Sequence, residues 1–214
     1  GDETRFGNQD TQMNVQTDLA ISLRGVEKTY ADFTLHPLDL ELPSGQIMGL
    51  VGANGAGKST LMKILYGMVK PDSGEIRVDG EPAVMKSPND AIDRGIGMVH
   101  QHFMLADNAS VLENVILGSE PTKFGALIEY SEAKKKLLEI ADHYGLELDP
   151  DQQLSELGVG GRQRVEIAKV LFRGAKVLIL DEPTAVLVPQ EVDELFTNLK
   201  ELTRNGLTII FISH

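Results

Sequence analysis

The sequence contains no cysteine and no tryptophan, and aromatic residues make up only 5% of its 214 residues. Without cysteine the chain forms no disulfide bond and carries no thiol nucleophile, which is compatible with a reducing compartment. No apolar run approaches the roughly 20 residues that a membrane-spanning helix needs. The N-terminus carries no apolar signal core either. Any role at a membrane therefore requires a partner protein.

Positive charge is also scarce. Lys and Arg total 20 against 32 Asp and Glu, which gives a net charge of −12 at pH 7. An acidic chain repels a polyanion, so we expect no nucleic-acid partner, although a local positive site is not excluded. The length suits one domain with room for two lobes. Hydrophobic residues form 42% of the chain, which is enough for a sizeable core.

The most informative segment is GANGAGKS at residues 52–59. It fits G-x-x-x-x-G-K-[ST], the phosphate-binding loop of nucleotide triphosphatases, whose glycines bring backbone N–H groups close to phosphate oxygens. A predicted strand at 47–51 precedes it, and a predicted helix begins near Lys58 with its positive end towards the same anion. Lys58 is predicted to reach the outer phosphates, and the Ser59 hydroxyl to bind Mg²⁺. The residues predicted here to bind the nucleotide are Gly52, Asn54, Gly55, Ala56, Gly57, Lys58, Ser59 and Thr60.

Apolar strands that alternate with helical patterns predict an α/β fold with a mostly parallel sheet covered on both faces. The buried-type strands are expected at 47–51, 97–99, 177–180 and 208–212. Helices are expected at 111–117, 131–144, 161–172 and 189–202, with a further helix start at Ser87. Segments 20–26 and 35–42 alternate in polarity and predict antiparallel strands, and a turn at 71–74 leads to a short strand at 75–78. Residues 1–18 read as a loose tail or a cloning remnant.

A second strong signal is the acidic pair Asp181 and Glu182 at the end of a continuous apolar strand. In open parallel sheets, ligands bind beyond the carboxyl ends of the strands. Asp181 is therefore predicted to lie near the Mg²⁺ held by Ser59. Glu182 is the better candidate for polarising the attacking water. The alternative, an ordinary acidic strand end, is the weaker interpretation beside a phosphate loop.

Further motifs, in the right order, resemble those of the ATP-binding-cassette (ABC) ATPases. LGVGGRQR at 157–164 is similar to that family's L-S-G-G-Q signature. Gln101 matches the Q-loop glutamine, His214 the switch histidine, and Tyr30 the aromatic residue on which adenine stacks. The acidic pair, continued as DEPT, looks like the family's second-strand motif. The resemblance covers residues 19–214.

This resemblance implies a phosphate-loop NTPase with a RecA-like, mostly parallel core sheet, an antiparallel β subdomain and a helical subdomain at about 103–160. It implies ATP and Mg²⁺ as cofactors. The residues it implies in catalysis are Gln101, Glu182 and His214, and those around the metal are Ser59, Gln101 and Asp181. ATP would lie between two cassettes, with Gly158 and Gly160 in the signature of one cassette facing the γ-phosphate held by the other.

Within the family, segments 97–105, 165–169 and 184–187 are similar to ATPase subunits of bacterial importers of simple sugars and nucleosides. Those subunits often carry two cassettes, of which this chain would be the first. The implied partners are transmembrane permease subunits, a second cassette and, indirectly, a solute-binding protein. The implied location is peripheral, on the cytoplasmic face of the inner (cell) membrane. We expect the stretch from Gln101 to about Gly118 to contact the permease.

The chain departs from the family pattern around the signature. Gly158 replaces the serine, Val159 fills the third position, and Gly161 stands where Gln or Glu is usual. Residues 185–188 lack the Asp that is common in the D-loop. The chain also ends just after the last predicted strand, so we expect a truncated, mostly monomeric fragment that binds ATP but hydrolyses it poorly.

Two alternatives stay open from the sequence. One is a soluble cassette ATPase that acts in translation or DNA repair, which the net charge of −12 disfavours. The other is a nucleotide-binding regulatory cassette with little turnover, which the departures around the signature keep open.

Overall fold

A computed structural model describes residues 18–52, 57–100, 102, 104–117 and 130–213. In chain order, the strands in these ranges are β1 (Leu19–Thr29), β2 (Thr34–Pro43), β3 (Ile47–Val51), β4 (Ser73–Val78), β5 (Glu81–Pro82), β6 (Ile96–Val99), β7 (Val177–Asp181) and β8 (Thr208–Ser213). The helices are α1 (Lys58–Leu65), α2 (Pro88–Asp93), α3 (Val111–Leu117), α4 (Tyr130–Tyr144), α5 (Val159–Phe172) and α6 (Pro189–Arg204), with a 3₁₀ turn at Leu154–Glu156.

The core sheet is four-stranded, in the order β3-β8-β7-β6, and all of its described pairings are parallel. Its strands are continuous apolar runs because both faces of the sheet are covered. In β7, for example, Leu178, Ile179 and Leu180 are all fully buried. The predicted α/β fold with a parallel core sheet is confirmed.

The two faces of this sheet pack against different elements. Successive side chains of a strand point to opposite faces, and β7 divides accordingly. Val177 and Ile179 belong to a core with α1, α2 and the antiparallel sheet. Leu178 and Leu180 belong to a core with α3, α4, α5 and α6. The helix that follows the phosphate loop and the helix that opens with the signature therefore lie on opposite faces.

The second sheet is antiparallel, in the order β2-β1-β4-β5. Strand β1 pairs antiparallel with β2 and with β4, which confirms the predicted antiparallel strands, although residues 20–23 are all buried and do not alternate. Strand β4 begins at Ser73, so the predicted turn at 71–74 is shorter than expected. The two-residue strand β5 has no counterpart in the prediction, because so short a segment carries no periodicity.

The helices agree with the prediction apart from their ends. Ser87 caps α2 as predicted, its Oγ accepting a hydrogen bond from the Asp90 N–H at 3.4 Å. Helix α5 begins at Val159, two residues before the predicted start at 161, because the signature glycines continue into its first turn. The predicted tail falls almost entirely on residues 1–17, outside the described residues. Among the described residues, no helix combines the length and apolar character needed to cross a bilayer.

Candidate functional site

The carboxyl ends of the parallel strands meet at one edge of the core sheet. Val51, the last residue of β3, pairs with Ser213 of β8. Asp181, the last residue of β7, pairs with Ile212 of β8. The phosphate loop leaves β3 at this edge, and Glu182 leaves β7 beside it. The structure thus brings together the two strongest sequence signals, as predicted from the parallel topology.

Gly57 joins the phosphate loop to α1, and two features of its position favour glycine. Its backbone lies in the left-handed region, with φ 97° and ψ 1°, where side chains are disfavoured. A Cβ on this residue would also come within 3.0 Å of the Leu35 Cδ1 and 3.3 Å of the Phe33 ring. Helix α1 then begins at Lys58, as predicted, with Ser59 and Thr60 in its first turn. The predicted residues Asn54, Gly55 and Ala56 lie outside the described residues.

Lys58 places its ammonium group at the sheet edge. Its Nζ donates hydrogen bonds to the Gly52 carbonyl and, at 2.7 Å, to the Ser213 carbonyl. The cation therefore lies between the ends of β3 and β8, where the phosphate loop begins. A positive charge in this place can form charge-assisted hydrogen bonds with a phosphate group.

The acidic pair follows β7 in an unusual backbone geometry. Asp181 and Glu182 are both half-buried, and Glu182 has a positive φ of 49°, which is uncommon outside glycine. The Glu182 N–H donates to the Ile212 carbonyl at 2.9 Å, so β8 holds the backbone of this residue. Strained residues held by their surroundings cluster at functional sites. The geometry supports the prediction that this pair carries chemistry.

Gln163 of α5 is a buried polar residue that the sequence reasoning missed. Its side chain is 5% exposed, and its Nε2 donates a hydrogen bond to the Pro183 carbonyl at 3.2 Å. The sequence does contain a signal for the burial of Gln163. Gln163 lies one helical turn before Ile167 and two turns before Leu171, and both of those residues are buried. A glutamine on that apolar stripe indicates an inward-facing amide, which needs a hydrogen-bond partner.

Tyr30, the predicted adenine platform, directly follows β1 and is 39% exposed. Its N–H donates to the Phe33 carbonyl at 2.7 Å, which closes a turn. The Phe33 ring lies beside Gly57. The turn that carries Tyr30 is therefore next to the phosphate loop, as a base-stacking residue requires.

Asp72 fixes the backbone just before this turn. Its carboxylate accepts hydrogen bonds from the Thr29 N–H at 2.7 Å and from the Lys28 Nζ at 3.1 Å. The Thr29 hydrogen bond first, and then Lys28, lower the pKa of the Asp72 carboxyl from its usual value. The carboxylate therefore stays ionised at neutral pH, and these contacts are lost only as the pH falls through the lowered pKa.

The signature forms the start of α5. Gly158 is the N-cap residue in an extended conformation, and no side chain in the described part of the chain caps this end. A Cβ on Gly158 would meet no described atom within 4 Å. A Cβ on Gly161 would instead approach the Leu157 Cδ2 to 3.1 Å, so a side chain at this position would press against Leu157. Gly160 lies between them, in the first turn.

The segment that follows Gln101 is anchored at Met104. The Met104 N–H donates to Glu166 Oε1 at 2.8 Å, and Lys169 Nζ donates to the Met104 carbonyl at 3.1 Å. The Met104 side chain is nevertheless 74% exposed. Gln101 itself and His214 lie outside the described residues, so their predicted roles stay predictions.

The residues at the sheet edge fit Mg²⁺ better than a transition metal. Across the described ranges, no group of three or more His, Cys, Asp or Glu residues could hold a metal ion. Mg²⁺ does not need such a cage, because it binds through one or two protein oxygens together with substrate phosphates and water. The Ser59 hydroxyl and the Asp181 carboxylate are donors of that kind.

A family model described as "ABC transporter" matches residues 35–185. The chain is 49% identical over 198 residues to the nucleoside import ATP-binding protein NupA of Lactococcus lactis subsp. cremoris, covering 92% of this chain and 39% of that protein. It is 47% identical over 194 residues to the guanosine import ATP-binding protein NupO of Bacillus subtilis, covering 90% and 38%. It is 40% identical over 203 residues to the ribose import ATP-binding protein RbsA of Rhodopirellula baltica, covering 94% and 40%. The chain thus spans about two fifths of the length of these relatives.

Solved structures of proteins from ABC transporters are also similar to this chain. CbiO1 from Clostridium perfringens, part of the ABC transporter complex cbiONQ, superposes with a TM-score of 0.78 at 33% identity, covering 92% of this chain and 79% of that chain. The ADP conformation of MJ1267, an ATP-binding cassette of an ABC transporter, superposes with a TM-score of 0.79 at 26% identity, covering 92% and 82%.

Proposed function

The chain belongs to the ABC transporter family, and from that premise we propose that it is a cassette that binds and hydrolyses ATP to power a bacterial importer. The observation that carries the proposal is the meeting of Lys58 and the acidic pair at one edge of the core sheet. Relatives named for the import of nucleosides, guanosine and ribose support a nucleoside or a simple sugar as the solute. Because the ATPase subunit does not bind the solute, the choice between them is tested by transport.

Binding would begin at the phosphate loop. Lys58 exchanges its carbonyl partners for outer phosphate oxygens, and the N-terminus of α1 supplies N–H groups and a positive dipole end. Tyr30 stacks against adenine. Ser59 and Asp181 would hold Mg²⁺, which would neutralise phosphate charge when bound.

Hydrolysis would depend on Glu182. Its carboxylate orients a water molecule for in-line attack on the γ-phosphorus and accepts the proton that the water loses. The bond between the γ-phosphorus and the bridging oxygen breaks, which yields ADP and inorganic phosphate. We propose that Gln101 and His214 complete this site as the Q-loop glutamine and the switch histidine.

A complete site would need two cassettes. The signature helix α5 and the phosphate-loop helix α1 pack on opposite faces of the sheet. This arrangement supports a site in which Gly158 and Gly160 face ATP held by a second cassette. The isolated chain would then be mostly monomeric, since association must overcome lost translational and rotational freedom. As a monomer it would hydrolyse ATP slowly.

The permease would dock on the segment that runs from Gln101 to about 118. Exposed Met104 supports this, because its backbone is held by Glu166 and Lys169 while its apolar side chain faces outward. The cassette would span 19–214, with a helical subdomain at about 103–160, and lie on the cytoplasmic face of the membrane. A solute-binding protein would act through the permease, and no nucleic acid is expected as a partner.

The test is ATP-dependent import of labelled guanosine and of labelled ribose into vesicles that contain the assembled transporter. We expect uptake of one solute, together with phosphate release that the permease stimulates. Failure to bind ATP in calorimetry would contradict the proposal at its first step. Turnover stimulated by ribosomes or DNA, but not by the permease, would favour a non-transport cassette. ATP binding without turnover in the assembled transporter would favour a regulatory cassette.

A further inference from the structure

We infer that Gln163 is a positioning residue for Glu182 and links the signature helix to that carboxylate within one cassette. The inference rests on the proposed ATPase function, because it concerns the same reaction. Its basis is the hydrogen bond from Gln163 Nε2 to the Pro183 carbonyl at 3.2 Å. This bond joins α5 to the segment that immediately follows the acidic pair.

The Gln163 side chain is buried in the second turn of α5. It is 5% exposed, and it shares a stripe of α5 with Ile167 and Leu171, which are buried as well. An amide is unfavourable in such a place unless it is hydrogen-bonded. The Pro183 carbonyl supplies the acceptor, so the contact fixes the side chain and the carbonyl together.

The backbone at Glu182 needs such support. Its positive φ of 49° is held on one side by the hydrogen bond from the Glu182 N–H to the Ile212 carbonyl at 2.9 Å. The next residue, Pro183, has no N–H, so its carbonyl is the only backbone group there that can form a hydrogen bond. The Gln163 Nε2 donates a hydrogen bond to that carbonyl. The backbone around Glu182 is therefore fixed by two hydrogen bonds, one to β8 at Glu182 itself and one to α5 at the next residue.

The same contact gives the signature a mechanical connection to the reaction. Gln163 lies in the second turn of α5, directly behind the turn that opens at Gly158. A helix moves as a rigid element over such a distance. A displacement of its first turn on contact with a second cassette therefore reaches the Pro183 carbonyl, and with it Glu182. We expect the carboxylate to reach its working position only when the signature of its own chain is engaged.

The test replaces Gln163 by methionine, which has a similar shape but no amide donor. In the assembled transporter, we expect Gln163→Met to lower kcat at least about tenfold, since small displacements of reacting groups have effects of this order. KM for ATP should change less than about twofold, because the phosphate loop is untouched. The matched control is Thr208→Val. It removes another buried contact, the 2.9 Å hydrogen bond from the Gly45 N–H to Thr208 Oγ1, at the amino end of β8. This control should leave kcat within about twofold of the wild type.

A second variant keeps the inference testable if the methionine variant folds poorly. Gln163→Glu keeps the length of the side chain, but its ionised form cannot donate to a carbonyl. Its kcat relative to the wild type should rise as the pH falls and the carboxyl becomes protonated. A merely structural role predicts a constant ratio.

The outcomes distinguish the positioning role of Gln163 from the proposed ATPase function. Wild-type protein that hydrolyses ATP while Gln163→Met retains its kcat would overturn the inference and leave the proposed function standing. Equal losses in Gln163→Met and Thr208→Val would also overturn it, since they would reflect general packing. Wild-type protein with no hydrolysis in the assembled transporter would overturn the proposed function, and the positioning role with it.

Discussion

The two faces of the core sheet carry the two halves of the proposed nucleotide site. On one face, α1 starts at Lys58 behind Gly57, whose positive φ and close neighbours disfavour a side chain. On the other face, α5 starts at Gly158, where a Cβ would meet no described atom within 4 Å. The phosphate-loop half is therefore fixed by the geometry of converging strands. The signature half is an open helix end, at which Gly158 stands where the family resemblance predicts a serine.

The two regions should differ in their tolerance to substitution. A change at the sheet edge disturbs contacts to several strands, whereas a change at an open helix N-terminus disturbs one turn. Substitutions on the phosphate-loop side should therefore lose function. Substitutions that restore family residues on the signature side should gain it.

The largest effect is expected at Glu182, where the two halves meet. Glu182→Gln keeps the shape of the side chain but removes the proton acceptor, so turnover should fall about 10²- to 10⁴-fold. ATP affinity should change little, because the phosphate loop is intact. Phosphate release and calorimetry on the assembled transporter check both statements. If Asp181→Asn stopped hydrolysis while Glu182→Gln left it intact, the two roles would be reversed.

A smaller but clear loss is expected at Lys58. Lys58→Ala removes a cation from the phosphate site, and hydrogen bonds to charged groups contribute about 1.5–3 kcal/mol. ATP affinity measured by calorimetry should therefore fall at least about tenfold. Lys63→Ala, on an exposed position in the last turn of the same helix, is the matched control and should bind ATP normally. Equal affinity of the two variants would contradict a phosphate-binding role for Lys58.

The core sheet and one half of the site could be predicted from the sequence, because each rests on a strong local pattern. Strands such as 177–181 are continuous apolar runs, and the phosphate loop has fixed residues at fixed spacing. Features that rest on tertiary packing or on very short segments could not be found this way. The contact between Gln163 and Pro183 joins two segments through tertiary packing, which no local pattern reports. The 3₁₀ turn at Leu154–Glu156 is too short to show a period. The predicted start of α5 is two residues late, because glycines are poor helix formers.

A gain is expected from restoring the signature serine. Gly158 has an extended N-cap backbone and room for a Cβ, so its backbone is compatible with serine. The serine hydroxyl would donate to the charged γ-phosphate held by the second cassette, and because hydrogen bonds to charged groups contribute about 1.5–3 kcal/mol, the gain should be about tenfold or more. The ATP-driven association of two cassettes, measured by light scattering, should tighten by that factor.

Gly158→Ala separates the hydroxyl from the added methyl group. It introduces a Cβ without an oxygen atom, so it should give no gain in association. If alanine and serine improved association equally, helix propensity rather than phosphate contact would be the cause. If neither did, the open end of α5 would not face the second nucleotide, and the comparison between the two faces would lose its functional meaning.

The smallest effect is expected at Val188, the N-cap residue of α6 on the signature face, and it should change stability without changing nucleotide binding. The Val188 N–H donates to Glu191 Oε2 at 3.0 Å, which is one half of a capping box. Valine has no oxygen atom for the other half, whereas threonine has the same shape and accepts from the N–H of the third helical residue. Val188 is 55% exposed, so an added hydroxyl is not buried. Val188→Thr should raise the free energy of unfolding by about 1 kcal/mol, measured by chemical denaturation.

A Glu191→Ala background separates the two halves of this capping box. Total stability should drop there, because the Val188 N–H loses its carboxylate acceptor. The hydroxyl that Val188→Thr introduces should still contribute its own half, since it accepts from the backbone and not from the Glu191 side chain. No gain from Val188→Thr in either background would contradict the capping role. A gain in stability with unchanged ATP affinity would show that the missing half of this capping box can be supplied without disturbing the proposed nucleotide site.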